Sequence, residues 1–199
     1  MKTVRKTLIL AACAIMLVCA TIAGTLAYLT AQVSVKNTFT VGNVAITMDE
    51  TDVDNSTPGG NDRDTENEYK LLPGQTYTKD PIIHVSATSE DCYVFVKVTN
   101  NISSVEATGN NTIAKQLEAN GWKAVPPDES NVYYMEDAVN ASADVNVFGR
   151  FTVSDSATNE QLSAIKGKTI EVEAYAVQKE GFTSAVDAWN ATFGTEAQA

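Results

Sequence analysis

Few residues in this sequence are suited to acid–base or nucleophilic chemistry. It holds a single histidine, His84, in the run PIIHVSA. A zinc protease of the common helical kind needs two histidines one turn apart with a glutamate between them, which one histidine cannot supply. A nucleophile-and-base unit would need His84 as its base, and no GxSxG segment is present. We therefore predict no catalytic residue and interpret His84 as an ordinary strand residue.

The cysteines offer little more chemistry. Of three, only Cys92 lies beyond the first 27 residues, so the rest of the chain cannot form an internal disulfide. Cys92 opens the run CYVFVKVTN, on the same alternate face as Val94, Val96 and Val98. This pattern predicts a small buried apolar residue. A disulfide to another chain is the alternative.

Acidic residues concentrate in 49–68, DETDVDNSTPGGNDRDTENE, where Arg63 is the only base. The Pro-Gly-Gly run at its centre predicts a solvated loop. The alternative is a calcium site, whose candidate ligands are Asp52, Asp54, Asp62, Asp64 and Glu66. The glycine and the terminal glutamate stand at the wrong offsets for an EF-hand loop. We therefore expect no cofactor, with calcium as the alternative.

The charge balance excludes one class of partner. The chain carries 14 basic and 25 acidic residues, and three of the basic ones stand in its first six positions. Residues 28–199 therefore hold 11 bases against 25 acids, a net charge near −14. Such a chain repels phosphate backbones, so we expect no nucleic-acid partner.

Period-two alternation of apolar and polar residues dominates the chain beyond its first 35 residues. The runs with this pattern are NTFTVGNVAITM, QTYTKDPIIHVSA, DCYVFVKVTN, NVYYME, VNVFGRFTV and KTIEVEAYAVQ. One apolar and one polar face per strand is typical of antiparallel sheets packed as a sandwich. Three short helices are expected as connections between sheets, in TIAKQLEANGW, TNEQLSAIKG and TSAVDAWNATF. The predicted class is mainly β with short helical insertions.

The first 27 residues are typical of a secretory signal peptide. Basic residues precede an uncharged, mostly apolar stretch from Leu8 to Ala23, and Ala27 offers a small residue just before Tyr28. Sixteen positions are short for a bilayer span, and an uncleaved anchor is the alternative. We predict cleavage between Ala27 and Tyr28 and an exported, extracellular protein.

These observations divide the chain into two parts. Residues 1–27 are the predicted signal peptide, and 28–199 are predicted to form one β-sandwich domain. Within that domain, 28–48 is an N-terminal strand region and 49–68 is the acidic loop.

The junction AGTLAYLTAQVSVKNTFTVGNVAITM resembles the signal-to-mature junction of the TasA/camelysin family, which is exported through a dedicated SipW-type signal peptidase. The matching residues are Gly24, Thr25, Ala27, Tyr28, Asn37, Thr38, Phe39, Gly42 and Ile46. The run LLPGQTYTKDPIIHV is similar to the family's L-x-PG-x-x-x-x-K segment at Leu72, Pro73, Gly74 and Lys79. A third match is the late strand from Ile170 to Phe182. The acidic loop is longer than the family pattern, and residues 103–142 match nothing in it.

This resemblance implies a jelly-roll-like domain and a secreted structural protein, a subunit of extracellular biofilm-matrix fibres. In the family, the mature N-terminus of one subunit acts as a donor strand that completes the sheet of its neighbour. The assembly strand implied here carries Asn37, Phe39, Val41, Val44 and Ile46. The implied partners are further copies of the chain and the SipW-type peptidase. Whether an accessory matrix protein also takes part is left open.

Two other functions remain as alternatives to the fibre subunit. One is a secreted metallopeptidase of the camelysin type, which the single histidine does not favour. The other is a surface module that binds polysaccharide or calcium.

Overall fold

The computed structural model describes residues 42–56, 62–126 and 131–194 of the chain. Within these ranges the strands are β1 (Ile46–Thr51), β2 (Arg63–Asp64), β3 (Thr76–Thr78), β4 (Ile82–Val85), β5 (Cys92–Asn100), β6 (Lys123–Ala124), β7 (Val132–Tyr134), β8 (Asp144–Asn146), β9 (Arg150–Thr152) and β10 (Ile170–Gln178). The helices are α1 (Ile113–Ala119), α2 (Asn159–Ala164) and α3 (Ala185–Thr192), with a 3₁₀ turn at Ser103–Val105.

All the strand pairs are antiparallel and belong to three sheets. The first sheet has the order β2-β1-β4-β8, the second has the order β10-β5-β7-β6, and β3 pairs with β9 alone. Strands dominate and helices are few, so the predicted mainly β class is confirmed.

The two larger sheets share one hydrophobic core. It joins the even-numbered side chains of β5, from Cys92 to Val98, with Ile83 and Val85 of β4. The inward residues of β10 pack against it at alternate positions, as the period-two pattern predicts.

The second sheet is covered on its other face as well. Helix α3 lays Ala188 and Trp189 against Tyr93 and Phe95, the odd-numbered residues of β5. The rings of Phe95 and Trp189 lie 5.0 Å apart. The C-terminal helix is therefore a covering layer and not only the connection that the sequence suggests, and β5 is buried on both faces.

All three predicted helices are present with side-chain caps. The hydroxyls of Thr112, Thr158 and Ser184 each accept a hydrogen bond from the first turn of their helix. Gly121 and Gly167 follow α1 and α2 with φ of +89° and +76°, a conformation that favours glycine.

Two segments differ from the pattern in the sequence. The run VNVFGRFTV divides between β8 and β9, which belong to different sheets, because the chain leaves the first sheet at residues 147–149. The acidic segment 49–68 is not a loop throughout. Strand β1 continues to Thr51, and the short strand β2 pairs with it inside that segment.

Candidate functional site

His84 lies between two aspartates on the first sheet. The register of β4 and β8 places it directly opposite Asp144, while Asp49 stands on β1 two residues beyond its partner Thr47. Its Nδ1 lies 2.6 Å from Asp144 Oδ1, and its Nε2 lies 3.1 Å from Asp49 Oδ1. The hydrogen bonds with Asp144 and then Asp49 raise the pKa of His84.

Arg63 extends this network toward the start of β4. Its guanidinium forms an ion pair with Asp49 and a second one with Asp80 at 3.3 Å. It also donates to the carbonyl oxygens of both aspartates. Asp80 in turn accepts hydrogen bonds from the backbone and hydroxyl of Thr51. The network thus ties β1, β2 and Asp80, which lies just ahead of β4, together.

The chemistry of this network is structural. Both ring nitrogens of His84 contact carboxylates, so neither is free to take a proton from a nucleophile. Cys92 is fully buried, and burial followed by the charge of Asp91 raises the pKa of its thiol, which disfavours the reactive thiolate. His84 and Cys92 are therefore a strand residue and a buried apolar residue, as the sequence predicts. Full burial also keeps the Cys92 sulfur out of reach of a second chain.

The acidic segment brings three of the candidate calcium ligands together. Carboxylate oxygens of Asp52, Asp54 and Asp64 lie within 4.8 Å of one another. Asp62 and Glu66 lie outside this group. The carbonyl oxygen of Asp62 accepts a hydrogen bond from the amide of Asp52.

Hydrogen bonds within the segment organise these carboxylates. Asp54 accepts from the backbone amides of Ser56 and Glu68, and Asp64 accepts from the hydroxyl of Ser56 and the amide of Asn67. The hydrogen bond to Ser56 and then that to Glu68 lower the pKa of Asp54. Such exposed, internally bonded acids are also common where no cation binds.

A large open groove runs beside the start of β10. Its volume is about 1720 Å³, and it extends between β1 and residues 65–71 on one side and α2 and the first half of β10 on the other. Apolar side chains supply much of the lining, among them Met48, Tyr69, Phe151, Ile170 and Val172.

A buried ion pair lines the same groove. Lys79 Nζ lies 2.8 and 3.0 Å from the two carboxylate oxygens of Glu50, and Asn67 donates to the same carboxylate. The side chain of Glu50 is 6% exposed and that of Lys79 12%. Water is therefore largely excluded from both charges, and each depends on the other for compensation.

The segment LLPGQTYTK builds the approach to this ion pair. Gly74 turns the chain with φ +72°, and its amide donates to the carbonyl of Val153. Tyr77 on β3 then stacks on Phe151 of β9 with ring centroids 5.1 Å apart. The segment ends at Lys79. The Pro-Gly turn and Lys79, both named in the family resemblance, therefore belong to one local structure beside the ion pair.

The outer edge of β10 carries no strand among the residues that the structure describes. At the two ends of the β10–β5 ladder, the amide of Asn101 donates to the carbonyl of Thr169 and the amide of Lys179 donates to the carbonyl of Asp91. The residues on the β10 side of both bonds have odd numbers. Because antiparallel pairs alternate, the even-numbered residues from Ile170 to Gln178 direct their N–H and C=O groups away from β5. β10 therefore offers a nine-residue hydrogen-bonding edge next to the groove.

Part of the predicted assembly strand lies inside the described ranges. Val44 and Ile46 pack against the main core, and Ile46 opens β1 opposite Val85. The amide of Ala45 and the carbonyl of Asn43 bond to Ser89 and Glu90. The other named positions, Asn37, Phe39, Val41 and the cleavage pair Ala27 and Tyr28, lie outside the described residues.

Two groups of polar residues were missed by reasoning from the sequence. Arg63 was visible as the one base in an acidic segment, which could have indicated a structural ion pair. Glu50 was not, because its partner Lys79 lies 29 residues away in the chain.

A scan of protein-family models and searches of curated proteins and of solved structures find no match to this chain. In the part of the chain that the structure describes, no helix is long and apolar enough to cross a membrane.

Proposed function

We propose that this chain is an exported structural protein whose copies assemble into extracellular fibres. In this proposal the described sheets belong to a jelly-roll-like β-sandwich, and the segment after the leader donates a strand to the next copy. The partners are then further copies of the chain, with a SipW-type peptidase releasing the donor.

The observation that supports this most directly is the outer edge of β10. β10 pairs with β5 on one side, and its outer edge has no strand partner among the described residues. Such an open edge of nine residues is a template for another chain, and folded proteins usually cover or shorten such edges. Strand addition uses the backbone groups for affinity and side-chain pockets for specificity. Here the edge lies beside a groove lined by apolar side chains, so one site offers both.

The polar networks favour a structural role over hydrolysis. A peptidase of the camelysin type would need His84 as a metal ligand or a base, whereas both of its ring nitrogens contact aspartates. Cys92 is buried at 0% exposure. The buried charged groups in the groove, Glu50 and Lys79, neutralise each other.

Removing the donor tests the proposal. Chain beginning at Tyr28 is expected to form filaments in negative-stain micrographs, and the same chain lacking residues 28–39 is expected to sediment as a folded monomer. Because Cys92 is buried, a thiol reagent that reacts with it only after denaturation shows that the deletion variant is folded.

Two results would contradict the proposal. One is a processed chain that stays a single particle at every concentration and pH. The other is a deletion variant that still forms filaments. Amino-terminal sequencing of secreted material tests the bond between Ala27 and Tyr28 in the same preparation.

A further inference from the structure

The segment expected to act as the donor is amphipathic with a regular period of two. From residue 29 to residue 41 the odd positions are Leu29, Ala31, Val33, Val35, Asn37, Phe39 and Val41. The even positions are Thr30, Gln32, Ser34, Lys36, Thr38 and Thr40. As a strand, this segment would have one apolar face and one polar face. At about 3.3 Å per residue its 13 residues span about 43 Å, more than the roughly 30 Å of β10.

The edge of β10 has matching faces. Ile170, Val172 and Ala174 pack toward the main core, while Glu171 and Glu173 are exposed on the opposite face. A strand added to this edge continues both faces of the sheet, whether it runs parallel or antiparallel. Its apolar positions therefore lie on the side of Val172, and its polar positions lie on the side of the two glutamates.

This face assignment brings opposite charges together. Lys36 is the only charged residue between positions 28 and 41, and it belongs to the polar face. On the acceptor, Glu171 accepts a hydrogen bond from Thr169, and Glu173 lies 3.7 Å from Lys97. Lys97 is at ion-pair distance from Glu173, and Lys166 and Lys168 line the groove beside both glutamates. Glu171 is bonded to a neutral hydroxyl, so its charge can pair with a further cation.

The apolar face of the donor segment has one polar residue that matches a polar feature of the groove. Asn37 is its only polar residue, and it is next to Lys36 in the chain. The groove beside β10 is lined by apolar and charged side chains, and the ion pair of Glu50 and Lys79 is buried in it. The side-chain amide of an asparagine can add a hydrogen bond to such a pair.

We propose that Lys36 of one copy pairs with Glu171 and Glu173 on the β10 edge of the next copy and so sets the register of the donated strand. This inference rests on the proposed function, because it assigns the contacts of the same site. Cross-strand pairs of opposite charge stabilise a register, and like charges oppose it.

A charge exchange tests the pairing in the processed chain. Lys36→Glu should slow filament growth, followed by light scattering, about tenfold, because an attractive pair becomes a repulsive one. Glu171→Lys with Glu173→Lys should slow growth in the same way. Combining all three changes should restore growth to within about threefold of the wild-type rate. Lys123→Glu changes the net charge equally on the opposite edge of the sheet and should leave growth unchanged.

The outcomes separate the two proposals. If Lys36→Glu grows like Lys123→Glu, or if the triple variant grows no faster than Lys36→Glu, the pairing is wrong while wild-type filaments still support strand donation. If the variant lacking residues 28–39 also forms filaments, strand donation itself is wrong. A second variant combines Lys36→Glu with Glu171→Lys only. It keeps Glu173 and therefore its contact with Lys97. Protection of Cys92 shows that each variant is folded.

Discussion

His84 shows how a lone titratable residue can serve the fold. It stands on the central strand β4 with a carboxylate from each neighbouring strand at hydrogen-bond distance. When the ring is protonated, both nitrogens donate and the imidazolium links β1, β4 and β8. Arg63 pairs with the same carboxylate of Asp49 and also with Asp80, so two cations meet three carboxylates when His84 is protonated.

This arrangement predicts a pH-dependent stability. The pKa of His84 is raised in the folded state, so its contribution is complete below the ordinary value of about 6.5 and is lost as the pH rises through the raised value. We expect His84→Asn to lower the free energy of unfolding by about 0.5–1 kcal/mol at pH 5.5, since the partly exposed pair is screened by solvent. The loss should be less than half as large at pH 9.

Urea denaturation at both pH values measures the difference. Lys123→Gln removes a surface ion pair with Glu136 that does not involve His84, and it should show no such pH dependence. A loss in His84→Asn that is equal at the two pH values would contradict the role assigned to its protonation.

The pair of Glu50 and Lys79 makes a second prediction. Lys79→Met leaves a carboxylate that is 6% exposed without its cation, and we expect a loss of about 3 kcal/mol in the free energy of unfolding. Adding Glu50→Gln should recover at least half of this, because the buried charge is then removed. Lys115→Met, which breaks an exposed pair on α1, should cost at most about 0.5 kcal/mol. Equal losses for the two lysine variants would contradict the account.

The local part of these sites was predictable from the sequence, and their pairing was not. The burial of Cys92 follows from alternation within one strand, because a period of two is a local property. The contact of His84 with Asp144 joins residues 60 apart in the chain. Such contacts depend on which strands pair and in which register, and that choice is made by packing across the whole domain.

Among the elements, β10 is the one on which the proposed assembly depends most directly. It pairs with β5 along its whole length, and the backbone groups of its even-numbered residues point to the outer edge. A change that removes one outward N–H and leaves the hydrogen bonds to β5 intact therefore tests the outer edge separately from the fold.

Ala174→Pro is such a change. It removes an outward donor, keeps a small side chain, and should reduce filament growth strongly while the monomer stays folded. Ala174→Ser retains the N–H and should assemble like the wild type. Growth rates by light scattering, with Cys92 protection as the test of folding, compare the two. Unchanged growth in a folded Ala174→Pro variant would show that this edge takes no strand.

The elements themselves followed well from the sequence. Five of the predicted strand runs contain strands at the expected places, and the three helices have their predicted positions. The split of VNVFGRFTV and the covering role of α3 did not follow. In both cases the hydrophobic pattern specifies which faces are buried but not against which layer they are buried.

At the scale of the whole molecule, the net charge and the open edge of β10 both bear on the proposed association of copies. A net charge near −14 beyond the predicted leader keeps separate copies apart in solution. Residues 28–41 hold one lysine and no acid, so under the proposed function this segment avoids that repulsion where copies would meet. We expect association to depend on this segment and not on general stickiness of the surface.

The central claim is that the β10 edge receives the N-terminal segment of another copy. A synthetic peptide of residues 28–41, titrated into the chain lacking residues 28–39 and followed by calorimetry, tests it most directly. We predict saturable binding of one peptide per chain, lost in the Ala174→Pro form of the same variant and retained in Ala174→Ser. Absence of binding, or equal binding by the proline variant, would contradict the claim.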